Sequence, residues 1–347
     1  MNALAPRLGI ELPIVQALMA GLQLAALPLA VGAAGALGSL PAALLDAATL
    51  KRELDVLHAA GRPYNLNFFC HAPPVDDPAR EDAWRAALAP HYAALGLDIA
   101  AAKPGALRQP FDDVVADLVE PYRPRIVSFH FGLPEARLLA RVKAWGAFVL
   151  SSATTIAEAR WLEAHGADAV IAQGLEAGGH RGMFLTDDLT TQQGTFTLLP
   201  QIVRAVRVPV IAAGGIADAN GVRAAFALGA SAVQAGTAYL LSDEATTAPV
   251  HRAALMSEAA RHTALTRLHS GRPARGIVNG LTRAFGPMHP IAPDFPLASR
   301  SLATLRAAAE AQGIGDYSPL WSGQCNDALL ARPAAEITRG LAEGWPG

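Results

Sequence analysis

A single histidine lies in a glycine-rich segment that directly follows an apolar run. The segment reads AVIAQGLEAGGHRG over residues 169–182 and carries both Glu176 and His180. An imidazole, with an unperturbed pKa of about 6.5, can accept a proton or donate a hydrogen bond near neutral pH. His180 is therefore a candidate catalytic residue, although most loop histidines are only solvated. Glu176 orients this loop, orients His180 or faces water, and we expect a structural role for it.

Two amide side chains lie on apolar runs that predict strands. Asn67 is the polar residue between Leu66 and Phe68, and Gln173 ends the run before the glycine-rich segment. Because buried amides need hydrogen-bond partners, each is either satisfied in the core or contacts the edge of a heterocyclic ligand. The first apolar run ends in QALMAG, where the backbone of residues 17–19 can pass against a flat ring.

These residues must be positioned by the elements around them, and the chain predicts a closed (β/α)8 barrel. Short apolar runs alternate with alanine-rich helical stretches, two of which carry a threonine or aspartate cap and end in glycine. Right-handed crossovers leave few other topologies, and the open doubly wound sheet lacks its GxGxxG after the first strand. The eight predicted strands are residues 12–18, 36–40, 65–70, 125–131, 147–152, 169–174, 209–215 and 232–237.

Active sites of such barrels lie at the carboxyl ends of the strands. The seventh predicted strand ends with Gly214 and Gly215, and the eighth continues through Gln234, Ala235, Gly236 and Thr237. Glycines here either make tight turns only or let backbone N–H groups approach an anion, and loops at these two strands are the usual phosphate site. With the amides of the other strands, this pattern favours FMN as the cofactor.

Two segments exceed the barrel repeat. Residues 71–124 form a long connection after the third strand, and residues 243–298 are predicted to be an inserted cap over the active site. The barrel domain is then residues 1–242 and 299–347, with two extra helices in the tail. His130 ends the fourth strand and either lines the pocket or is a core histidine.

Composition excludes several classes of function. The chain of 347 residues is 52% hydrophobic with a net charge of −2, which excludes disorder and disfavours nucleic acid or an anionic membrane as partner. The uncharged stretch 12–45 is broken by glycines and prolines, so buried strands are favoured over a membrane helix. Cys70 and Cys325 form no disulfide or zinc pattern, and the histidines lack metal-ligand spacing. We expect a cytoplasmic protein without a metal.

Several motifs together resemble the nitronate monooxygenases, formerly called 2-nitropropane dioxygenases. They are LPIVQALMAG, NFFCH, SFHFG, AQGLEAGGHRG, PVIAAGGIAD and LGASAVQAGT, with SGRPARGIVN and YSPLWSGQ extending the likeness. The resemblance implies non-covalent FMN and oxidation of alkyl nitronates by O₂ to carbonyl compounds and nitrite. It also implies that His180 takes a proton from a neutral nitroalkane or orients the nitro group of an ionised substrate. The flavin contacts that it implies are Ala17, Leu18, Met19, Asn67, Gln173, Gly178, Gly215, Gln234, Ala235, Gly236 and Thr237.

The sequence also departs from the family, and alternatives stay open. Leu18 stands where the family usually has proline, and the stretch GLQLAAL (21–27) replaces a Gly-Gly and Thr-Pro pattern. Related flavin-dependent enoyl-acyl-carrier-protein reductases typically carry glutamate at the position of Gln173, and NAD(P)H:quinone reductases share the superfamily. A non-catalytic flavin-binding module is the remaining alternative. The expected partners are a small-molecule substrate and O₂, and a homodimer is left open.

Overall fold

The computed structural model describes residues 4–75, 77–103, 105, 108–327 and 329–347. Its strands are β1 Ile14–Gln16, β2 Gly38–Pro41, β3 Tyr64–Phe69, β4 Ile126–His130, β5 Phe148–Ala153, β6 Ala169–Gln173, β7 Gly179–His180, β8 Val210–Ala213, β9 Ala232–Ala235, β10 Thr263–Thr266 and β11 Ala274–Ile277. Eight of them form one parallel sheet in the order β1-β9-β8-β6-β5-β4-β3-β2. A parallel bridge between Val15 and Leu37 joins the two end strands and closes the barrel.

Helices follow the barrel strands and cover the sheet. The α-helices are α1 Leu4–Leu8, α2 Ala26–Ala33, α3 Ala47–Ala59, α4 Pro78–Ala94, α5 Asp113–Val119, α6 Ala136–Ala144, α7 Ile156–Ala164, α8 Thr195–Ala205, α9 Ala219–Ala227, α10 Pro249–Leu255, α11 Gly280–Phe285, α12 Ala303–Ala311 and α13 Ala334–Ala342. Short 3₁₀ helices cover Ile99–Ala101, Glu120–Tyr122, Leu189–Thr191, Thr237–Tyr239, Glu258–Arg261 and Leu297–Ser299. Among the helices described, none has the length and apolar character needed to cross a membrane.

The predicted barrel is confirmed, including the predicted helix caps. Thr155 Oγ1 accepts a hydrogen bond of 3.2 Å from the Glu158 N–H at the start of α7. Asp218 does the same at the start of α9. The first strand is shorter than the predicted 12–18.

Side chains alternate between the two faces of each strand, so the same strands supply an apolar plug inside the barrel and polar residues at its mouth. At the amino-terminal end, Ile126, Leu150 and Ile171 pack inside the barrel against α1. Because side chains on one face of a strand recur every second residue, later residues of the same strands face the barrel mouth. His130, Ser152 and Gln173 therefore lie on the same inward face as the apolar plug, one or two steps further along.

The segments outside the barrel repeat pack on each other. β10, β11 and β7 form a three-stranded antiparallel sheet, so the insertion after β9 pairs with the loop after β6. Trp84 of α4, Leu281 of α11 and Leu305 of α12 lie in one apolar cluster. The apolar core of the predicted cap 243–298 is thus shared with the connection after β3 and with the first tail helix. The second tail helix, α13, packs on α2, α9 and β1 of the barrel.

Candidate active site

A cavity opens at the carboxyl ends of the barrel strands. Its volume is about 1200 Å³, including space open to solvent. It is lined by nearly all the predicted site residues, namely Ala17, Leu18, Met19, Asn67, His130, Gln173, Gly178, His180, Gly214, Gly215, Gln234, Gly236 and Thr237. Ala235 is the exception among the described residues, because its side chain is buried in the core and its carbonyl oxygen accepts from the Ala17 N–H at 2.8 Å.

His180 lies on a short strand rather than on a free loop. β7 pairs with β11, with His180 opposite Ala274 and Gly179 opposite Arg275. Gln173 Nε2 donates to the His180 carbonyl oxygen at 3.0 Å, and its Oε1 accepts from the Gly182 N–H at 2.8 Å. Gln173 therefore holds both sides of the histidine, and one of its two amide hydrogens is left for a ligand.

His130 also hydrogen-bonds to the backbone of His180. Its Nε2 lies 3.2 Å from the His180 carbonyl oxygen, and its Nδ1 lies 3.1 Å from Ser152 Oγ. A carbonyl oxygen only accepts, so the proton of a neutral His130 ring is on Nε2. Burial lowers the pKa of His130 to about 4. The residue thus both lines the cavity and is a satisfied, neutral histidine.

Aromatic rings surround the imidazole of His180. The ring centroids of Phe295 and Trp321 lie 5.3 and 5.5 Å from that of His180. This burial lowers the pKa of His180 well below its usual value, and the nearby positive charges of Arg108 and Arg272 lower it further. His180 is therefore neutral at neutral pH, the state in which an imidazole can accept a proton.

Arg108 brings an unpaired positive charge to the cavity wall. Its guanidinium lies 5.6 Å from the Phe295 ring centroid, and Nη1 donates to Ser299 Oγ at 3.4 Å. None of the ion pairs in the described part of the chain includes Arg108. Burial lowers the pKa of Arg108 to about 10, so the group stays charged at neutral pH. The cavity is consequently suited to an anion.

Two amide oxygens at the cavity have no hydrogen-bond partner among the residues that the structure describes. Asn67 donates from Nδ2 to the Ser128 carbonyl oxygen at 3.0 Å, while Asn67 Oδ1 is buried and unpaired. Gln234 Oε1 is buried and unpaired as well. Leaving a buried acceptor unpaired costs about 1–3 kcal/mol, so both oxygens fit a ligand that offers N–H or hydroxyl donors.

The other end of the cavity is made of small residues. A Cβ atom on Gly178 would lie 2.6 Å from the Gly323 backbone nitrogen, so a larger side chain does not fit there. Gly215 has a φ of +70°, which favours glycine. Thr237 Oγ1 accepts from the Gly323 N–H at 2.9 Å, which leaves the hydroxyl proton free to donate. With its small residues and the Thr237 hydroxyl donor, this end suits a phosphate group.

Glu176 has a structural role. Its carboxylate oxygens accept from the Thr195 N–H at 2.8 and 3.0 Å, and Oε2 accepts from Thr195 Oγ1 at 2.9 Å. Thr195 is the first residue of α8, so Glu176 satisfies and charge-stabilises the amino terminus of that helix. The choice left open by the sequence is resolved in favour of loop orientation.

Comparison with known proteins decides the family. The sequence model of the nitronate monooxygenase family matches residues 2–343 of this chain. The nitronate monooxygenase of Pseudomonas aeruginosa is 43% identical over 98% of both chains, and that of Paraburkholderia phytofirmans is 42% identical over 98% of this chain and 94% of its own. A nitroalkane oxidase from Streptomyces ansochromogenes superposes with a TM-score of 0.89 at 37% identity, covering 98% of this chain and 96% of that one.

The chain belongs to the nitronate monooxygenase family. It is therefore an oxidoreductase built on a (β/α)8 barrel, and flavin-dependent nitronate oxidation is the chemistry of its family. In the described residues, no group of three or more His, Cys, Asp or Glu side chains is placed to hold a metal ion.

Three polar residues that lie at or next to the cavity were not identified from the sequence, namely Ser270, Arg108 and Arg181. Ser270 Oγ lies 2.9 Å from His180 Nε2, and Arg108 has the position described above. Arg181 is fully buried and donates to the carbonyl oxygens of Gln173 and Gly174 at 2.7 and 2.6 Å, which fixes the end of β6. The sequence could have indicated Arg181, because this residue directly follows the histidine of the glycine-rich motif. Ser270 opens the motif SGRPARGIVN, so the resemblance marked its segment although not its contact with His180, whereas Arg108 lies outside the quoted motifs.

Proposed function

We propose that this protein catalyses the FMN-dependent oxidation of alkyl nitronates by O₂ to carbonyl compounds and nitrite. The observation that carries the proposal is the placement of a neutral His180 in the same cavity as two unpaired amide oxygens and a glycine-lined end. Family membership supports the reaction class, and the solved relative is itself named a nitroalkane oxidase.

The residues of the cavity fit FMN. Asn67 Oδ1 and Gln234 Oε1 would be acceptors for the single N–H of the oxidised ring and for hydroxyls of the ribityl chain, and the backbone of residues 17–19 would lie beside the ring. Gly215, Gly236 and Thr237 would hold the phosphate. When bound, FMN supplies the redox chemistry, accepting electrons from the nitronate and passing them to O₂.

The protein's own groups prepare the substrate. His180 is neutral, so it can take the carbon-bound proton of a nitroalkane or donate a hydrogen bond to a nitro oxygen of a nitronate. Arg108 attracts the anionic form of the substrate into the cavity, where apolar side chains such as Met19 and Phe69 also line the wall. Phe69 and Trp321 line the cavity near His180 and exclude water from the reacting group.

One anaerobic experiment distinguishes this function from its alternatives. We expect the purified protein to be yellow, to release FMN on denaturation, and to lose its flavin colour when mixed anaerobically with ethyl nitronate. Rapid bleaching by NADH or NADPH but not by the nitronate would assign a reductase instead. A yellow protein bleached by neither would indicate a flavin-binding module, and a protein that does not bind FMN would contradict the proposal. The cytoplasmic location and the homodimer stay predictions.

A further inference from the structure

Ser270 lies at the imidazole of His180 and is almost fully buried. Ser270 Oγ is 2.9 Å from His180 Nε2 and 3.3 Å from the carbonyl oxygen of Arg272. The residue belongs to the turn between β10 and β11, about 90 positions after the histidine in the chain. Nothing in the sequence motif of the histidine segment indicates this contact.

The backbone fixes the distance between the serine and the histidine. β11 pairs with β7 with Ala274 opposite His180, and the Arg181 N–H donates to the Pro273 carbonyl oxygen at 2.9 Å. Gly271 follows the serine with a φ of +92°, and a Cβ there would collide with the backbone of Pro293. The turn that carries Ser270 is therefore held on both sides, and its hydroxyl is a fixed partner for the ring.

Counting protons shows which ring nitrogen of His180 is free when Ser270 donates to the Arg272 carbonyl oxygen. A serine hydroxyl has one proton, and the Arg272 carbonyl oxygen can only accept. When the hydroxyl donates to that carbonyl, Ser270 Oγ must accept from His180 Nε2–H. A neutral imidazole has a single N–H, so Nδ1 is then unprotonated. No hydrogen bond to Nδ1 is made within the described part of the chain.

The charges around the ring favour this neutral form. The charged and titratable groups that face His180 are Arg108, Arg272, His130 and His71. Burial lowers the pKa of both His130 and His71 to about 4, so the two arginines are the positive charges present at neutral pH. They disfavour a second proton on His180, and the position of its one proton therefore decides whether it acts as a base.

We propose that Ser270 is a positioning residue that holds the proton of His180 on Nε2 and so reserves Nδ1 as the base for neutral nitroalkanes. In that step the α-carbon–hydrogen bond breaks, its electron pair forms the carbon–nitrogen double bond of the nitronate, and the π pair of one nitrogen–oxygen bond moves onto that oxygen. The proton forms a bond to His180 Nδ1, and the resulting imidazolium keeps its Nε2–H donated to Ser270. The inference rests on the proposed function, because it assigns a partner to the proposed base.

The kinetic test compares a substrate that needs the base with one that does not. In Ser270→Ala we expect kcat/KM for nitroethane to fall at least 10-fold, and kcat/KM for ethyl nitronate to change less than 3-fold. Ser270→Thr keeps a hydroxyl and should recover most of the nitroethane activity. Ser242→Ala is the matched control, since Ser242 is fully buried and its hydroxyl donates to the Tyr239 carbonyl oxygen without touching the site. Equal losses on both substrates in Ser270→Ala would overturn the proposal.

A spectroscopic test reports on the histidine directly, whether or not the variants turn over substrate. In protein labelled with ¹⁵N-histidine, with His180→Asn used for assignment, we expect wild-type His180 to be protonated on Nε2 at pH 7.5. Ser270→Ala should shift it towards a mixture of the two tautomers. A wild-type ring protonated on Nδ1, or a tautomer unchanged by Ser270→Ala, would overturn the inference. Failure of the proposed function has a different signature, because wild-type protein would then not be bleached by ethyl nitronate at all.

Discussion

Gln173 Nε2 donates a hydrogen bond of 3.0 Å to the carbonyl oxygen of His180, so a strand of the barrel holds the histidine through its backbone. The same side chain accepts from the Gly182 N–H on the far side of the histidine. The amide type matters because it both donates and accepts, whereas an ionised carboxylate only accepts.

Replacing this amide by a carboxylate should disturb the histidine. In Gln173→Glu, a second acceptor would face the His180 carbonyl oxygen, and we expect kcat/KM for ethyl nitronate to fall about 10-fold or more, the effect of losing 1–3 kcal/mol of buried hydrogen bonding. Steady-state oxygen consumption measures it. Gln201→Glu on the outer helix α8 is the control for the added charge. Wild-type activity in Gln173→Glu would show that the amide does not position the histidine.

Removing the imidazole should separate two kinds of substrate. For His180→Asn we expect a loss of about 10²-fold or more in kcat/KM with nitroethane, the typical size of general-base catalysis. With ethyl nitronate, where no carbon-bound proton is removed, the loss should stay below 10-fold. FMN binding, followed by fluorescence, should be unchanged. Equal losses on the two substrates would argue against proton abstraction by His180.

Flavin binding should depend on Asn67 but not on its neighbour Asn65. Both are fully buried on β3 and both have an unpaired Oδ1, but only Asn67 lines the cavity. We expect Asn67→Ala to weaken FMN binding to the apoprotein roughly 10-fold, because one buried acceptor for the ring is lost. Asn65→Ala should leave the Kd for FMN within about 2-fold. Fluorescence titration compares them, and equal effects would remove Asn67 from the flavin site.

The protein should lose stability as the pH falls below neutral. Burial lowers the pKa of His130 and His251 to about 4 and that of His269 to about 3. The unfolded chain takes up these protons near pH 6.5 while the folded protein does not. The contribution of each histidine is therefore fully present above about pH 6.5. It is lost as the pH falls to about 4 for His130 and His251 and to about 3 for His269, at up to about 1.4 kcal/mol per pH unit for each.

Urea unfolding at a series of pH values measures this dependence. His269→Gln should reduce the slope of the unfolding free energy against pH by about one proton, since its ring no longer titrates. His58→Gln, at an exposed position of α3, controls for histidine replacement itself. A free energy of unfolding that stays constant from pH 7 to pH 5 would contradict the prediction.

The barrel could be predicted from the sequence because its signals are local. Apolar runs, helix caps at Thr155 and Asp218, and glycine-rich strand ends each act within a few residues. The different position of Ala235 has a simple cause. The motif at residues 234–237 reads as one unit, but alternation along β9 turns Gln234 to the cavity and Ala235 to the core.

The surroundings of His180 could not be predicted, because they come from distant parts of the chain. Ser270 and Ala274 approach the histidine only when β11 pairs with β7, and a two-residue strand has no periodic pattern of its own. Arg108 lies in the long connection after β3, where no motif marks it. Long-range pairing and the burial of single charges are set by the tertiary fold, which a local pattern does not encode.

In the three-stranded sheet of β7, β10 and β11, the strand that carries His180 comes from one part of the chain and its two neighbouring strands come from a later part. Barrel strand ends would furnish most contacts of the proposed cofactor, whereas the later part furnishes the two strands and the hydroxyl that hold His180. Under the proposed function, mutations in the later part should change which nitroalkanes are deprotonated without changing the affinity for FMN. Substrate range in such a chain can diversify during evolution without rebuilding the barrel.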